Sequence, residues 1–129
     1  MVKKIGLGMN YPIDRGQTGY FDQTFDTFTN EEVKLINLMH TTEGERIMEP
    51  AFGLRLERFL FEPITTDITS QIANYIRSKI SYWLPNLIIN SLNVMSDPQS
   101  DADRNVIYVT VNFSLTTNPA QYDETTFKF

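Results

Sequence analysis

The chain has 129 residues, 41% hydrophobic and 12% aromatic, with a formal charge of −5 and no cysteine. That length suits one compact core, the missing cysteines exclude disulfides and thiolate metal sites, and the acidic balance excludes a basic nucleic-acid surface. Packing or partners must hold the fold, as in an intracellular or virion protein.

The opening residues MVKKIGLGMNYP lack a signal-peptide apolar region, since Gly6, Gly8, Asn10 and Pro12 interrupt it. No segment has the apolar length to span a bilayer. Residues 1–28 show neither a 3.6 nor a 2 period and are predicted to be an extended arm. Its aromatics Tyr20, Phe21, Phe25 and Phe28 are expected to close the domain's own core, or to lie on a neighbouring subunit. Thr29 or Asn30 is predicted to cap a helix ending near Thr41, with Glu31 and Glu32 in its first turn. Val33, Leu35, Ile36, Leu38 and Met39 give that helix an apolar face, and His40, the only histidine, sits in its last turn.

Residues 43–53, EGERIMEPAFG, read as a turn region linking into the next helix, with Gly53 as a place for a close backbone approach or a positive φ. Leu54, Leu56, Phe59, Leu60 and Phe61 form a short helical block ending at Pro63, anchored by its two phenylalanines. A long helix follows from about Thr66 to Trp83, with Asp67 in its first turn and Pro85 beyond its end. Ile68, Ile72, Ile76 and Ile80 recur every fourth residue, so one stripe packs inward while Asn74, Arg77, Ser78 and Ser81 face water.

The cleanest pattern is residues 105–117, NVIYVTVNFSLTT, where Ile107, Val109, Val111, Phe113 and Leu115 alternate with Tyr108, Thr110, Asn112, Ser114 and Thr116. Burying five such side chains is worth on the order of 10 kcal/mol as an upper estimate. A second apolar run, residues 87–95, precedes it across a polar loop at 96–104. The two read as an antiparallel hairpin. Residues 118–129 close with a short strand at 125–129 that either pairs with the hairpin or leaves to pair elsewhere.

No catalytic chemistry emerges. Glu43, Glu45, Glu49, Glu57 and Glu62 are the candidate acid and base of a glycoside hydrolase, but no spacing among them predicts a facing pair. His40 lacks the convergent ligands that a metal site requires, and nucleophile and phosphate-loop motifs are missing. The hairpin is the remaining candidate, because a free sheet edge can dock another chain's strand.

The order of blocks resembles the lysozyme-like sheath-initiator family, a baseplate-wedge component of contractile-tailed phages that is similar to a type VI secretion baseplate component. The match is carried by Gly8-Met9-Asn10-Tyr11-Pro12, by Gly44-Glu45-Arg46-Ile47-Met48 with Pro50, Phe52 and Gly53, by Leu60-Phe61-Glu62-Pro63, by the long helix and by the terminal hairpin. The resemblance implies an α+β fold: a small antiparallel sheet with a C-terminal hairpin, covered on one face by a long helix and two shorter ones. The resemblance covers about Gly6 to Leu115, and the residue patterns themselves divide the chain into an arm at 1–28, a single domain at 29–117 and a tail at 118–129.

It also implies a non-enzymatic protein without cofactor, in several copies around the tail axis in the virion baseplate, made in the host cytoplasm. Expected partners are tail sheath protein, other baseplate wedge proteins and tail tube or hub proteins, with neither nucleic acid nor membrane. Sheath strands would join the sheet at Ile88, Asn90, Leu92, Val94, Tyr108, Thr110, Asn112 and Ser114. Relatives carry Glu-Pro-Arg at the end of the long helix as a wedge contact, whereas this chain reads Leu84-Pro85-Asn86. Contact through Trp83, Leu84, Pro85 and Asn86 would replace it. The readings outside this role are a peptidoglycan-degrading enzyme and a cytoplasmic regulatory binding module of the same fold.

Overall fold

A computed structural model describes residues 6–16, 21–60, 66–96 and 106–129. The chain divides into two compact units, Met1–Asn37 and Leu38–Phe129. In the first, strand β1 (Gly8–Met9) pairs antiparallel with β2 (Gln23–Thr24), and helix α1 (Thr27–His40) begins. The predicted arm therefore contains a small ribbon, stitched by Leu7 N–H to Thr24 O (2.8 Å) and Asn10 Nδ2 to Asp22 Oδ2 (2.8 Å).

Helix α1 starts two residues before the predicted cap, because Asp26 takes that role: the Thr29 N–H donates to its carboxylate at 3.4 Å. Glu31 and Glu32 consequently fall outside the first turn, and Glu31 is buried with a Lys34 ion pair at 2.7 Å. Of the arm's aromatics Phe28 is buried while Phe21 and Phe25 are exposed. Tyr20 lies outside the described residues.

The second unit holds the last turn of α1, then α2 (Glu57–Leu60), α3 (Thr66–Trp83) and the strands β3 (Leu87–Ser96), β4 (Ile107–Leu115) and β5 (Tyr122–Lys128). Helix α3 has the predicted bounds, and Ile68, Ile72, Ile76 and Ile80 are all buried. Phe59 of α2 is buried as well, whereas Phe61, Glu62 and Pro63 lie outside the described residues, as does the loop from 97 to 105. The strands form one antiparallel sheet in the order β3-β4-β5. The tail thus supplies the third strand, and Phe127 buries its ring against His40, edge to face at 5.6 Å.

The inner face carries Ile107, Val109, Val111, Phe113 and Leu115, all buried, with α3 packed over β3. Pairing puts Leu87, Ile89, Leu92 and Val94 of β3 on this face, and Ile88, Ser91, Asn93 and Met95 on the other. The register slips between Ile89 and Ser91, so Asn90 is the extra residue of a β-bulge. A bulge exchanges the faces of all later residues relative to strict alternation, which is why the apolar spacing lengthens from two to three between Ile89 and Leu92.

Candidate functional site

Backbone parity decides which groups of the sheet are available. Ile107 and Phe129 exchange both backbone hydrogen bonds, at 3.0 and 2.9 Å. In an antiparallel ladder alternate residues face opposite neighbours, so Val109, Val111 and Phe113 also address β5, while Tyr108, Thr110, Asn112 and Ser114 address β3. Their partners are Met95, Asn93, Ser91 and Ile88. Leu92 and Val94 are left with their N–H and C=O groups pointing away from β4. Among the described residues no strand covers that outer margin of β3.

The eight residues predicted for strand exchange divide accordingly. Tyr108, Thr110, Asn112 and Ser114 belong to the central strand, whose backbone is paired on both sides, so an edge role for them is corrected. Tyr108, Thr110 and Asn112 reach a visitor only through half-buried side chains on the outer face, and Ser114 is buried. That face is tied laterally by Asn90 to Asn112 (3.3 Å), Ser114 Oγ to Asn90 Oδ1 (3.3 Å) and Thr110 with Thr126 (3.1 Å). Ile88 and Asn90 share it, whereas Leu92 and Val94 turn to the inner face, half-buried.

The end of α3 also departs from expectation. Trp83 is half-exposed and Pro85 and Asn86 are exposed, but Leu84 is buried, its N–H bonded to Ile80 O at 2.8 Å. Leu84 therefore cannot present its side chain at the corner. Tyr82, exposed and edge-on to Trp83 at 5.1 Å, stands there instead. The Asn86 carbonyl is engaged by the N–H and Oγ1 of Thr116, both at 3.0 Å.

Residues 41–54 form a fixed loop beside this corner. Gly44 and Gly53 adopt φ of 92° and 113°, conformations suited to glycine. Leu54 N–H bonds to Thr41 O (2.8 Å), Glu43 N–H to Leu54 O (3.2 Å) and Gly44 N–H to Pro50 O (2.7 Å). The Thr42 N–H donates to Glu45 Oε2 at 3.0 Å. Arg46 lies 3.8 Å over the Phe52 ring, which meets Trp83 edge-on at 5.2 Å. All six residues of the predicted family motif, Gly44, Glu45, Arg46, Pro50, Phe52 and Gly53, thus act in one loop architecture.

Glu43 links this loop to α3. Its carboxylate is paired with Lys79, accepts from Tyr75 Oη at 3.1 Å and lies 3.6 Å from Arg55 Nε. The Lys79 hydrogen bond, opposed by partial desolvation and reinforced by Tyr75 and the two positive charges, holds its pKa below the ordinary carboxylate range. A depressed carboxylate pKa stabilises the fold above the unfolded-state value of about 4.3, a contribution that is lost as pH falls through the lower folded-state value. Glu43→Gln is expected to lower stability near pH 7 by about 1 kcal/mol. It should also flatten the pH dependence of denaturation in that acidic window; an unchanged slope would contradict the assignment.

His40 borders a cavity of about 310 Å³ that Leu54, Leu56, Lys128 and Phe129 also line. Among the described residues no three His, Asp or Glu side chains gather as a metal site would require, and no helix is long and apolar enough to cross a membrane.

Against known proteins, the sequence model of the family described as baseplate wedge protein gp25 matches residues 32–120. The structure is similar to a chain of the anti-feeding prophage baseplate, with 23% identity over 83% of this chain and 82% of that one, and a TM-score of 0.70. It is similar to a protein from Geobacter sulfurreducens described as a tail lysozyme (18% identity, 81% and 90% covered, TM-score 0.67). It is also similar to a chain of the type VI secretion baseplate complex (10% identity, 79% and 91% covered, TM-score 0.63). At such identities these likenesses establish a shared fold. No curated protein matches in sequence.

Proposed function

The chain belongs to the baseplate wedge protein gp25 family, and from that premise we propose that it is a structural part of a contractile tail's baseplate which starts the sheath by accepting a sheath strand on the outer margin of β3. The observation that carries this reading is the composition of that margin. Natural edge strands are normally blunted by charge or proline, yet β3, LIINSLNVMS, has ten residues with neither. The other edge strand, β5, carries Asp123, Glu124 and Lys128 and is defended in the usual way. The bulge at Asn90 is the only protective device on β3 among the described residues.

Helix α3 favours the same margin. It packs on β3, and a helix about 10–12 Å across reaches over the position roughly 4.8 Å outside that strand. A visiting strand would find its inward side chains covered, next to the half-buried Leu92 and Val94. Its partner is therefore an alternating strand, apolar inward and polar outward. Each backbone hydrogen bond adds a net of about 0.5–1.5 kcal/mol.

The wedge contact falls to Tyr82, Trp83, Pro85 and Asn86. Of the five candidate acids of a hydrolase, Glu43 is engaged by Lys79, Arg55 and Tyr75 and Glu45 by the loop backbone, while Glu57 lines the cavity beside His40 and Glu62 lies outside the described residues. Mixing the protein with sheath subunits tests the proposal. Shortening of the polymerisation lag is the expected result, and an unaltered lag at equimolar protein would count against it.

A further inference from the structure

Among the described residues of 38–129, every Lys and Arg but one has a charged or aromatic partner. Arg55 and Lys79 compensate Glu43, Arg46 lies over Phe52, Arg58 over Phe59 and Tyr75, and Lys128 over Tyr108. Arg77 of α3 is the exception: it is exposed and belongs to none of these pairs. Its neighbours on the helix surface, three and four residues away, are Ala73, Asn74, Ile80 and Ser81, so α3 offers it no carboxylate.

The place of Arg77 follows from the packing of α3. Tyr75, Lys79 and Trp83 face the 41–54 loop through Glu43 and Phe52. Thr41, Thr42 and Leu54 of that loop line the same cavity as Lys128 and Phe129 at the end of β5, so this flank of α3 is turned toward β5. A helix turns about 100° per residue, which puts Ala73 and Arg77 on the opposite flank. Because α3 packs on β3, that flank overhangs the outer margin of the strand. β3 supplies no charge of its own. A guanidinium beside an uncharged margin attracts an anionic strand and repels a cationic one, and its planar fork of donors matches a carboxylate.

We infer that Arg77 selects the strand that joins β3: the guest carries one Asp or Glu on its helix-covered side, beneath the outer flank of α3, among otherwise apolar inward residues. This rests on the strand-acceptance reading above and adds to it a specificity-determining charge.

Arg77→Ala and Arg77→Glu, assayed with sheath subunits of the same particle, should keep the melting temperature, since no described contact is lost. At low salt they should seed sheath about fivefold and about thirtyfold more weakly, and the salt dependence of seeding should shrink in Arg77→Ala. Single Asp or Glu to Lys replacements along the sheath strand should include one that seeds poorly on the unsubstituted chain and recovers on Arg77→Glu. Seeding by Arg77→Glu at the unsubstituted rate, a full set of sheath replacements without a rescue, or an equal loss with Lys128→Glu, the same charge change at the other edge, overturns the inference. Val94→Pro, which blocks the margin itself, separates the two readings. If that variant is folded and seeds normally, strand acceptance fails; if it does not seed while Arg77→Glu seeds as well as the unsubstituted chain, only the role of Arg77 does.

Discussion

Val94→Pro should leave the domain folded and reduce sheath seeding by about tenfold or more. The Val94 N–H points away from β4, so proline removes no bond of the β3–β4 ladder, and edge strands accept proline at such positions. The ring instead occupies the margin where a visiting carbonyl would arrive. The adjacent Asn93→Pro is the internal control. Asn93 pairs with Thr110 and directs its N–H into the ladder, so proline there should destabilise the sheet by about 1–3 kcal/mol. Circular dichroism and denaturation separate the two variants from a trivial loss of fold. Seeding by folded Val94→Pro at the wild-type rate would rule out this margin, and equal unfolding of both variants would contradict the parity of the strand.

Gly53→Ala should destabilise the protein by about 3 kcal/mol, a drop in melting temperature of roughly 10 °C. Two effects combine at this position. The φ of 113° is one that a side chain rarely adopts, and an added methyl would press on the Thr41 carbonyl oxygen, with the Thr41 and Thr42 carbonyl carbons 2.9 Å away. The obstacle is backbone held by the Leu54–Thr41 hydrogen bond, so it cannot rotate aside. Gly44→Ala isolates the first effect, because its φ of 92° is similar but nothing lies within 4 Å of the added carbon. That variant should lose only about 1 kcal/mol. Thermal melts of the pair measure the difference, and equal losses would show that the close approach carries no weight.

Local signals were the legible part of the fold. Helix α3 could be read end to end because four isoleucines keep a four-residue period between Asp67 and Pro85, and β4 because five apolar residues alternate without a break. The tail was ambiguous because of β5 only Phe127 is buried, while Tyr122, Asp123 and Glu124 face water. Its pairing with β4 is a non-local choice that alternation cannot express.

At the candidate site, the hairpin was legible and its open side was not. The three-residue gap between Ile89 and Leu92 was the available sign of the bulge, and once the faces exchange there, Leu92 and Val94 leave the outer set. The inward turn of Leu84 depends on α3's last hydrogen bond, Leu84 to Ile80, which carries the helical path past its assigned end. The exposure of Ile47 and Met48 had no signature at all: an apolar pair beside Pro50 reads equally well as core, and only the loop's anchors to α3 turn it outward.

Strand acceptance can be observed directly as hydrogen exchange at the Leu92 and Val94 amides with and without bound sheath subunits. Slowed exchange at those two amides, with Asn93 and Met95 already protected in the free protein, is the expected result. Fast exchange at Leu92 and Val94 while sheath is bound, or new protection confined to β5, would contradict a guest strand on β3.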